Sequence, residues 1–340
     1  MNTSPSRSYP TKPRALLLTG LLCLLCTTAL LLGLSVGSTG LEPLWSLGSD
    51  PVATQIIWEV RAPRTLGALL AGGLLGLAGA IAQGLFRNPL ADPFLLGSAS
   101  GASLGVAIIL VSFGISPLAT HWFMKLGLTG AAFMGAVLAV CLTLSLAKGV
   151  QQTLRLLLAG VIVGVVLGAL TSLLSLTRPD ILQAMQSFML GSTAFVGWAA
   201  CVIMAVVWLT CSAAGVTLAR GLDALALGEA TALSLGLPLN KLRVVLIGIL
   251  AFATGTAVAQ TGLIAFVGLA APHLVRAIVR VRYAWLLPLA SLMGALLLSL
   301  ADLLARGLIA PQELSVGVLT AILGGGYLMW LMNHQGPTHD

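Results

Sequence analysis

The chain has 340 residues, 58% of them hydrophobic and only 8% charged, with a mean hydropathy of +1.04, whereas an ordinary soluble domain is about a quarter charged. This composition excludes a soluble domain and describes an all-α, polytopic membrane protein. The net charge of +7 is explained by topology and calls for no nucleic-acid partner, since cytoplasmic loops collect Lys and Arg.

A charge at mid-membrane costs about 2.5–3.5 kcal/mol and a leucine returns about 0.5, so charges mark the ends of spans. At about 20 residues per span, the apolar runs predict ten transmembrane helices in one domain over 15–332. They cover 15–37, 65–85, 99–118, 126–147, 154–176, 197–218, 243–260, 262–280, 285–304 and 315–332. With both termini cytoplasmic, most of the 17 Lys and Arg fall on the inner side. The tails are then 1–14 and 333–340.

Residues 1–14, with Pro5, Pro10 and Pro13, read as a tail without regular structure. Lys12 and Arg14 ahead of an apolar run also suit a signal peptide, but the run from Ala15 to Val36 exceeds the roughly 7–15 residues of a signal core. Bulky Leu21 and Leu22 before Cys23 exclude a lipoprotein site. Cys23 and Cys26 have the spacing of a redox or metal pair, yet no His or acidic residue stands near them to complete a site. They read as small apolar residues.

Gly72, Gly76, Ala80 and Gly84 recur every four residues on the second span, a small face on which helix backbones can approach closely. Gly160, Gly164 and Gly168 do the same on the fifth span, where they either pack or line a path for a solute. Between the second and third spans stands QGLFRNPLADPFLLGS, residues 83–98. Arg87, Asn88 and Asp92 with two prolines have no place against lipid, so this segment lies at an aqueous face or in a protein-lined cavity.

Enzymatic and nucleotide motifs fail on inspection. Residues 101–105, GASLG, fit the GxSxG pattern, but Ser103 sits in an apolar helix and not on a strand-to-helix elbow. No metal cluster can be assembled from the few acidic and imidazole groups. A Walker A loop needs Gly-Lys, and Lys12, Lys125, Lys148 and Lys241 follow Thr, Met, Ala and Asn. If ATP drives this chain, a separate subunit binds it. A handle for such a subunit is predicted at 219–242, where charges, helix formers and Gly228, Gly236 and Pro238 suit two short helices with a turn between them.

Ala80, Ile81, Ala82 and Gln83 close the second span much as Ala257, Val258, Ala259 and Gln260 close the seventh. Five spans separate them, so spans 2–5 and 7–10 would form an inverted repeat.

Five blocks in order carry a resemblance: RAPR (61–64), QGLFRNPLADPFLLG (83–97), LDALALGEATALSLGL (222–237), GLIAFVGLAAPHLVR (262–276), and ADLLAR with PQELSVGVLTAILG (301–306 and 311–324). Together they resemble the permease of the type II ABC importers that take up ferric siderophores, heme or cobalamin. The resemblance implies a homodimer in the bacterial inner membrane with its path on the two-fold axis. It also implies two ATPase subunits inside, which bind ATP and Mg, and one extracytoplasmic substrate-binding protein; no cofactor is expected on this chain.

By the same resemblance Arg61, Arg64 and Arg306 are exposed cations that receive acidic groups of the binding protein, although Arg306 follows Asp302 by four residues and could pair with it locally. Asn88 and Leu90 match a cytoplasmic gate, and Gln152 and Thr153 fall near its second element. Asp223, Leu225, Leu227, Gly228, Glu229, Leu235 and Gly236 match the ATPase-coupling helices. Gly268, Pro272, His273 and Arg276 match a broken helix, His273 as a hydrogen bonder. The chain departs from the family's usual Pro and Gly at Leu263 and Ala265, and from its Pro-Phe pair at Gly326 and Tyr327. The expected cargo is an iron complex, siderophore or heme, with cobalamin second. The rival of another class is a self-contained, ion-coupled secondary transporter.

Overall fold

A computed structural model of the chain describes residues 12–37, 40–41, 51–113, 122–147 and 153–334. Its helices are α1 Lys12–Ser35, α2 Pro51–Ile56, α3 Ala62–Phe86, α4 Ser98–Phe113, α5 Trp122–Leu146, α6 Thr153–Thr177 and α7 Leu182–Leu190. There follow α8 Trp198–Thr217, α9 Ala219–Ala226, α10 Glu229–Ser234, α11 Leu239–Thr261, α12 Val267–Ile278, α13 Tyr283–Gly307 and α14 Val316–His334. A π-helical turn, Ile57–Arg61, joins α2 to α3. The strands are one two-residue ribbon in which Val36–Gly37 pairs with Gly40–Leu41.

Seven helical stretches among the described residues are long and apolar enough to cross a membrane: α1, the continuous 51–86 rod, α5, α6, α8, α11 and α13. The shorter apolar helices α4, α12 and α14 occupy the other three predicted intervals. The expectation of a full helical span over 262–280 needs correction. Helix α12 has 12 residues, about 18 Å of rise, which is short of a roughly 30 Å hydrocarbon core. The backbone turns at Gly262 (φ 69°) and Phe266 (φ 68°), so the interval opens as non-helical chain, with Leu263 N–H donating to the Phe188 carbonyl of α7. Helix α7 was not predicted at all. Helix α14 runs unbroken through Gly326 and Tyr327.

The bundle has a centre and a rim. Within their apolar windows, the 51–86 rod is 89% buried, α11 72% and α13 67%, whereas α1, α5, α6 and α8 are 22–28% buried. The rim shows bare leucines and valines, such as Leu17, Val165 and Leu209, and an apolar surface of that extent is covered by lipid or another protein.

Small residues set the central packing. A methyl group on Gly72 would run into the carbonyl of Gly294 on α13, one on Gly76 into the Ala290 carbonyl, and one on Gly79 into the Gly268 carbonyl of α12. The four-residue spacing on α3 is therefore helix contact, as expected. Ser291 completes the seam: it donates to the Gly73 carbonyl at 2.9 Å and accepts from Trp208 of α8 at 2.7 Å. Backbone carbonyls cannot swing aside as side chains do, so Gly79→Val should cost at least about 1–3 kcal/mol of overpacking strain. The folded yield in detergent should fall sharply, while Gly20→Ala, which meets nothing within 4 Å, should leave it unchanged.

Contacts also pair off between the two halves. Helix α3 packs on α13 and α12, and α11 packs on α5 and α4. This is the pattern produced by exchanging spans 2–5 with 7–10, as two related halves would give.

Candidate functional site

The polar groups gather at the two ends of the central helices. At the end where α1 finishes and α3 begins, the structure contradicts the expected exposed cations. Arg61, Arg64 and Arg306 are 5%, 6% and 1% exposed. The physical reason lies in α1. Its last carbonyls have no helical partners and carry the negative end of the dipole, and guanidiniums fill that role: Arg306 Nη1 donates to Gly33 O at 2.9 Å and Arg61 Nη1 to Leu34 O and Ser35 O at 3.4 Å. Asp302, 1% exposed, joins the group. It accepts from Arg64 Nε at 3.0 Å, from Arg306 one turn on, and from the Thr193 hydroxyl. Arg64 also forks onto Glu313 at 2.8 and 3.0 Å. The local Asp302–Arg306 pair anticipated from spacing is present, and it belongs to a network that fastens α1, α3 and α13.

At the opposite end, α3 stops at Arg87, whose φ of 51° is the left-handed conformation that usually ends helices at glycine or asparagine. Two Asx turns then fold the segment: Asn88 Oδ1 accepts from Leu90 N at 2.9 Å and Asp92 Oδ1 from Phe94 N at 2.8 Å. Arg87 to Leu90 are exposed, and Leu90 presents an apolar tip, 50% exposed. Gln152 lies outside the described residues, and Thr153 opens α6.

Beside this turn, Asp92, Leu95, Ser100, Gly160, Val161 and Gly164 line a groove of about 300 Å³. Burial among these apolar walls pushes the Asp92 carboxyl up to about 6, against the lowering effect of the Phe94 N–H. Of the three path candidates, Gly160 is a packing residue, since a methyl there would meet the Leu95 carbonyl; Gly164 and Gly168 have only the Ser100 hydroxyl near 4 Å and are half-buried.

The segment 219–242 forms the two predicted helices, α9 and α10, hinged at Gly228 (φ 113°). Its residues divide by face. Leu225 is 1% exposed, so its expected place on a docking surface is corrected: it belongs to the core beneath α9. Asp223 turns inward as well and accepts from Tyr283 N at 2.9 Å, satisfying an orphan donor in the first turn of α13. Glu229 holds Arg243 at 2.6 Å and Arg87 at 3.3 Å. The outward face carries three bare leucines among exposed polar residues such as Thr231 and Ser234: Leu227, Leu233 and Leu235 are 68%, 60% and 64% exposed, next to exposed Gly236. Leu233 lies within the stretch expected to dock, but its outward face could be set only once the α9–α10 hinge was known.

A further chain of contacts leaves α9 for the bundle centre. Arg276 of α12 donates to Tyr283 Oη at 3.1 Å and to the Gln83 side chain, whose Nε2 donates to Leu269 O at 3.1 Å. Neither Tyr283 nor Arg243 was marked in the sequence, although a polar side chain at the end of an apolar run is the available signal. His273 stands edge-on to Tyr327, centroids 5.8 Å apart. Ser103 is helical and donates to Ala99 O at 3.0 Å.

Known proteins resemble this chain over most of its length. The chain is 37% identical over 331 residues to the hemin transport system permease protein HmuU of Yersinia pestis, covering 95% of this chain and 97% of that one. It is 39% identical over 329 residues to the vitamin B12 import system permease protein BtuC of Escherichia coli O127:H6, covering 93% and 95%. A solved metal-chelate type ABC transporter in an inward-facing conformation superposes with a TM-score of 0.82 at 32% identity, over 94% of this chain and 99% of that one. PsaBC from Streptococcus pneumoniae, at 16% identity and a TM-score of 0.59, shares the fold alone. With the FecCD transport family matched over residues 21–334, the chain belongs to that family of ABC importer permeases.

Proposed function

We propose that this permease carries an iron complex, a siderophore chelate or heme, into the cytoplasm as a homodimer in the bacterial inner membrane. Two ATPase subunits dock on α9–α10 and supply ATP and Mg chemistry, and a substrate-binding protein delivers cargo at the opposite end. The observation that carries the reading is the outward triad Leu227, Leu233 and Leu235 on the same end of the bundle as the Arg87–Leu90 turn. A bare leucine patch at an aqueous end calls for a protein partner, and a gate beside it can be driven by that partner. Both termini then lie in the cytoplasm. Resemblance to hemin and metal-chelate transporters favours iron, and resemblance to a vitamin B12 permease keeps a corrinoid as the second reading.

Transport is alternating access between two packings of the dimer, with Asn88, Leu90 and the 152–153 region closing the inner side and the α6 face bearing Gly164 and Gly168 along the path. Arg61, Arg64 and Arg306 support the landing surface for the binding protein from beneath. A self-contained ion-coupled carrier would need ionisable groups near mid-membrane. Among the described residues, the carboxylates on long apolar helices are Glu59 and Asp302, both near helix ends.

The test is uptake into proteoliposomes of the permease with its ATPase and binding protein, using ferric siderophore, heme and cobalamin in turn. Uptake of an iron complex should require ATP and fall to background without the ATPase. Gradient-driven uptake by the permease alone would overturn the importer reading, and uptake of cobalamin only would select the second cargo.

A further inference from the structure

We propose that Glu229 is the joint through which α10 moves the gate turn, and that Arg87 is the positioning residue that receives the movement. The proposal rests on the reading that α9–α10 receive the ATPase. One carboxylate oxygen, Glu229 Oε1, is shared by two guanidiniums: that of Arg243 on α11 at 2.6 Å, and that of Arg87 at 3.3 Å. The first is 4% exposed and fixed in the bundle; the second is 42% exposed and is the last residue before Asn88. Arg87 thus stands between the docking helices and the gate, one residue from the Asx turn that shapes Leu90.

Stability does not account for this arrangement. An ion pair as exposed as Arg87–Glu229 adds little to folding, and a left-handed backbone at a residue with a side chain subtracts from it. Position does account for it. The φ of 51° at Arg87 ends α3 and starts the turn in one step, so the direction of the side chain and the course of residues 88–90 are tied to the same backbone rotation. Gly228, at φ 113°, gives α10 its own pivot directly before Glu229. A push on Leu233 or Leu235, on the α10 side of that pivot, therefore rotates α10 about Gly228 and shifts Glu229 between a fixed cation and one that steers the gate.

The experiment uses the assembled importer in proteoliposomes and compares Arg87→Gln, Glu229→Gln and the double variant. Spin labels at Leu90→Cys, in a background free of native cysteines, report the distance between protomers. Arg87→Gln is the main variant, because Arg87 is exposed and its loss leaves no buried charge behind. It should keep the ATPase bound, with basal hydrolysis within about two-fold, while uptake falls at least about ten-fold. The nucleotide-dependent change in the Leu90 distance should disappear. The double variant should be no worse than the poorer single one, as expected of two groups acting through each other.

Full uptake in Arg87→Gln, release of the ATPase by it, or a Leu90 distance that still responds to nucleotide would each overturn the joint. A Leu90 distance indifferent to nucleotide in the unmutated importer would remove the gate assignment and the joint together. Leu227→Glu separates the underlying reading: if it leaves the ATPase bound and coupled, the docking assignment fails whatever Arg87→Gln does.

Discussion

Asp302→Ala should remove most of the folded permease, and the loss should be seen before any step of transport is measured. Asp302 is 1% exposed and neutralises two buried arginines at once. Removing one partner from a buried ion pair costs about 3–5 kcal/mol, a large part of the roughly 5–15 kcal/mol by which a domain is stable. Arg64 retains Glu313; Arg306 keeps carbonyls and the Thr65 hydroxyl, with no direct ion pair left to it among the described residues. The expected result is aggregation on size-exclusion chromatography and a lowered melting temperature in detergent. Asp302→Asn combined with Arg306→Gln should be milder than Asp302→Asn alone, since the double variant leaves Arg306's charge out of the interior. Had the three arginines been free docking cations, changes among them would weaken binding-protein affinity and spare the fold. Wild-type yield and melting temperature in Asp302→Ala would restore that view.

The reversal at this end shows where sequence reasoning stops. The helical class and the places of the long spans were legible because lipid imposes length and apolarity on each segment separately. The small face on α3 was legible because close helix approach admits few residue types. Burial of Arg61, Arg64 and Arg306 was not legible, because it depends on where the last turn of α1 arrives, and the contacts of Arg306 with Gly33 and Arg64 with Asp302 bridge 273 and 238 residues of chain. A charge at the end of an apolar run reads as solvent-facing unless the helix end that absorbs it is known. The same limit applies to the 219–242 segment: its two helices and hinge followed from Gly228 and Gly236, whereas the inward turn of Asp223 and Leu225 depends on α13 and the core beneath it. The short α12 was overestimated because hydropathy counts apolar residues and does not see the backbone turns at Gly262 and Phe266.

Leu227→Glu combined with Leu235→Glu should detach the ATPase while leaving the permease folded. Both side chains are more than half exposed, at 68% and 64%, so the free permease loses no core packing and gains solubility at that end. In the complex the same leucines would enter an apolar surface on the partner. Where a side chain is one of the few that carry an interface, truncating it costs about 2 kcal/mol or more, about a 30-fold loss of affinity at that figure. Burying an unpaired carboxylate in the same place costs more than truncation. Co-purification of the ATPase should therefore fall below detection at micromolar concentrations, and cargo-stimulated ATP hydrolysis should vanish with it. The melting temperature of the permease alone should stay within about a degree or two of wild type, because surface changes away from buried features are usually worth under about 0.5 kcal/mol. Leu225→Glu is the opposite control: buried in the core at 1% exposure, it should destroy the fold and report nothing about docking. Full ATPase retention in the double variant would reduce α9–α10 to a membrane-surface connector, and the exposed leucines would then be explained by lipid.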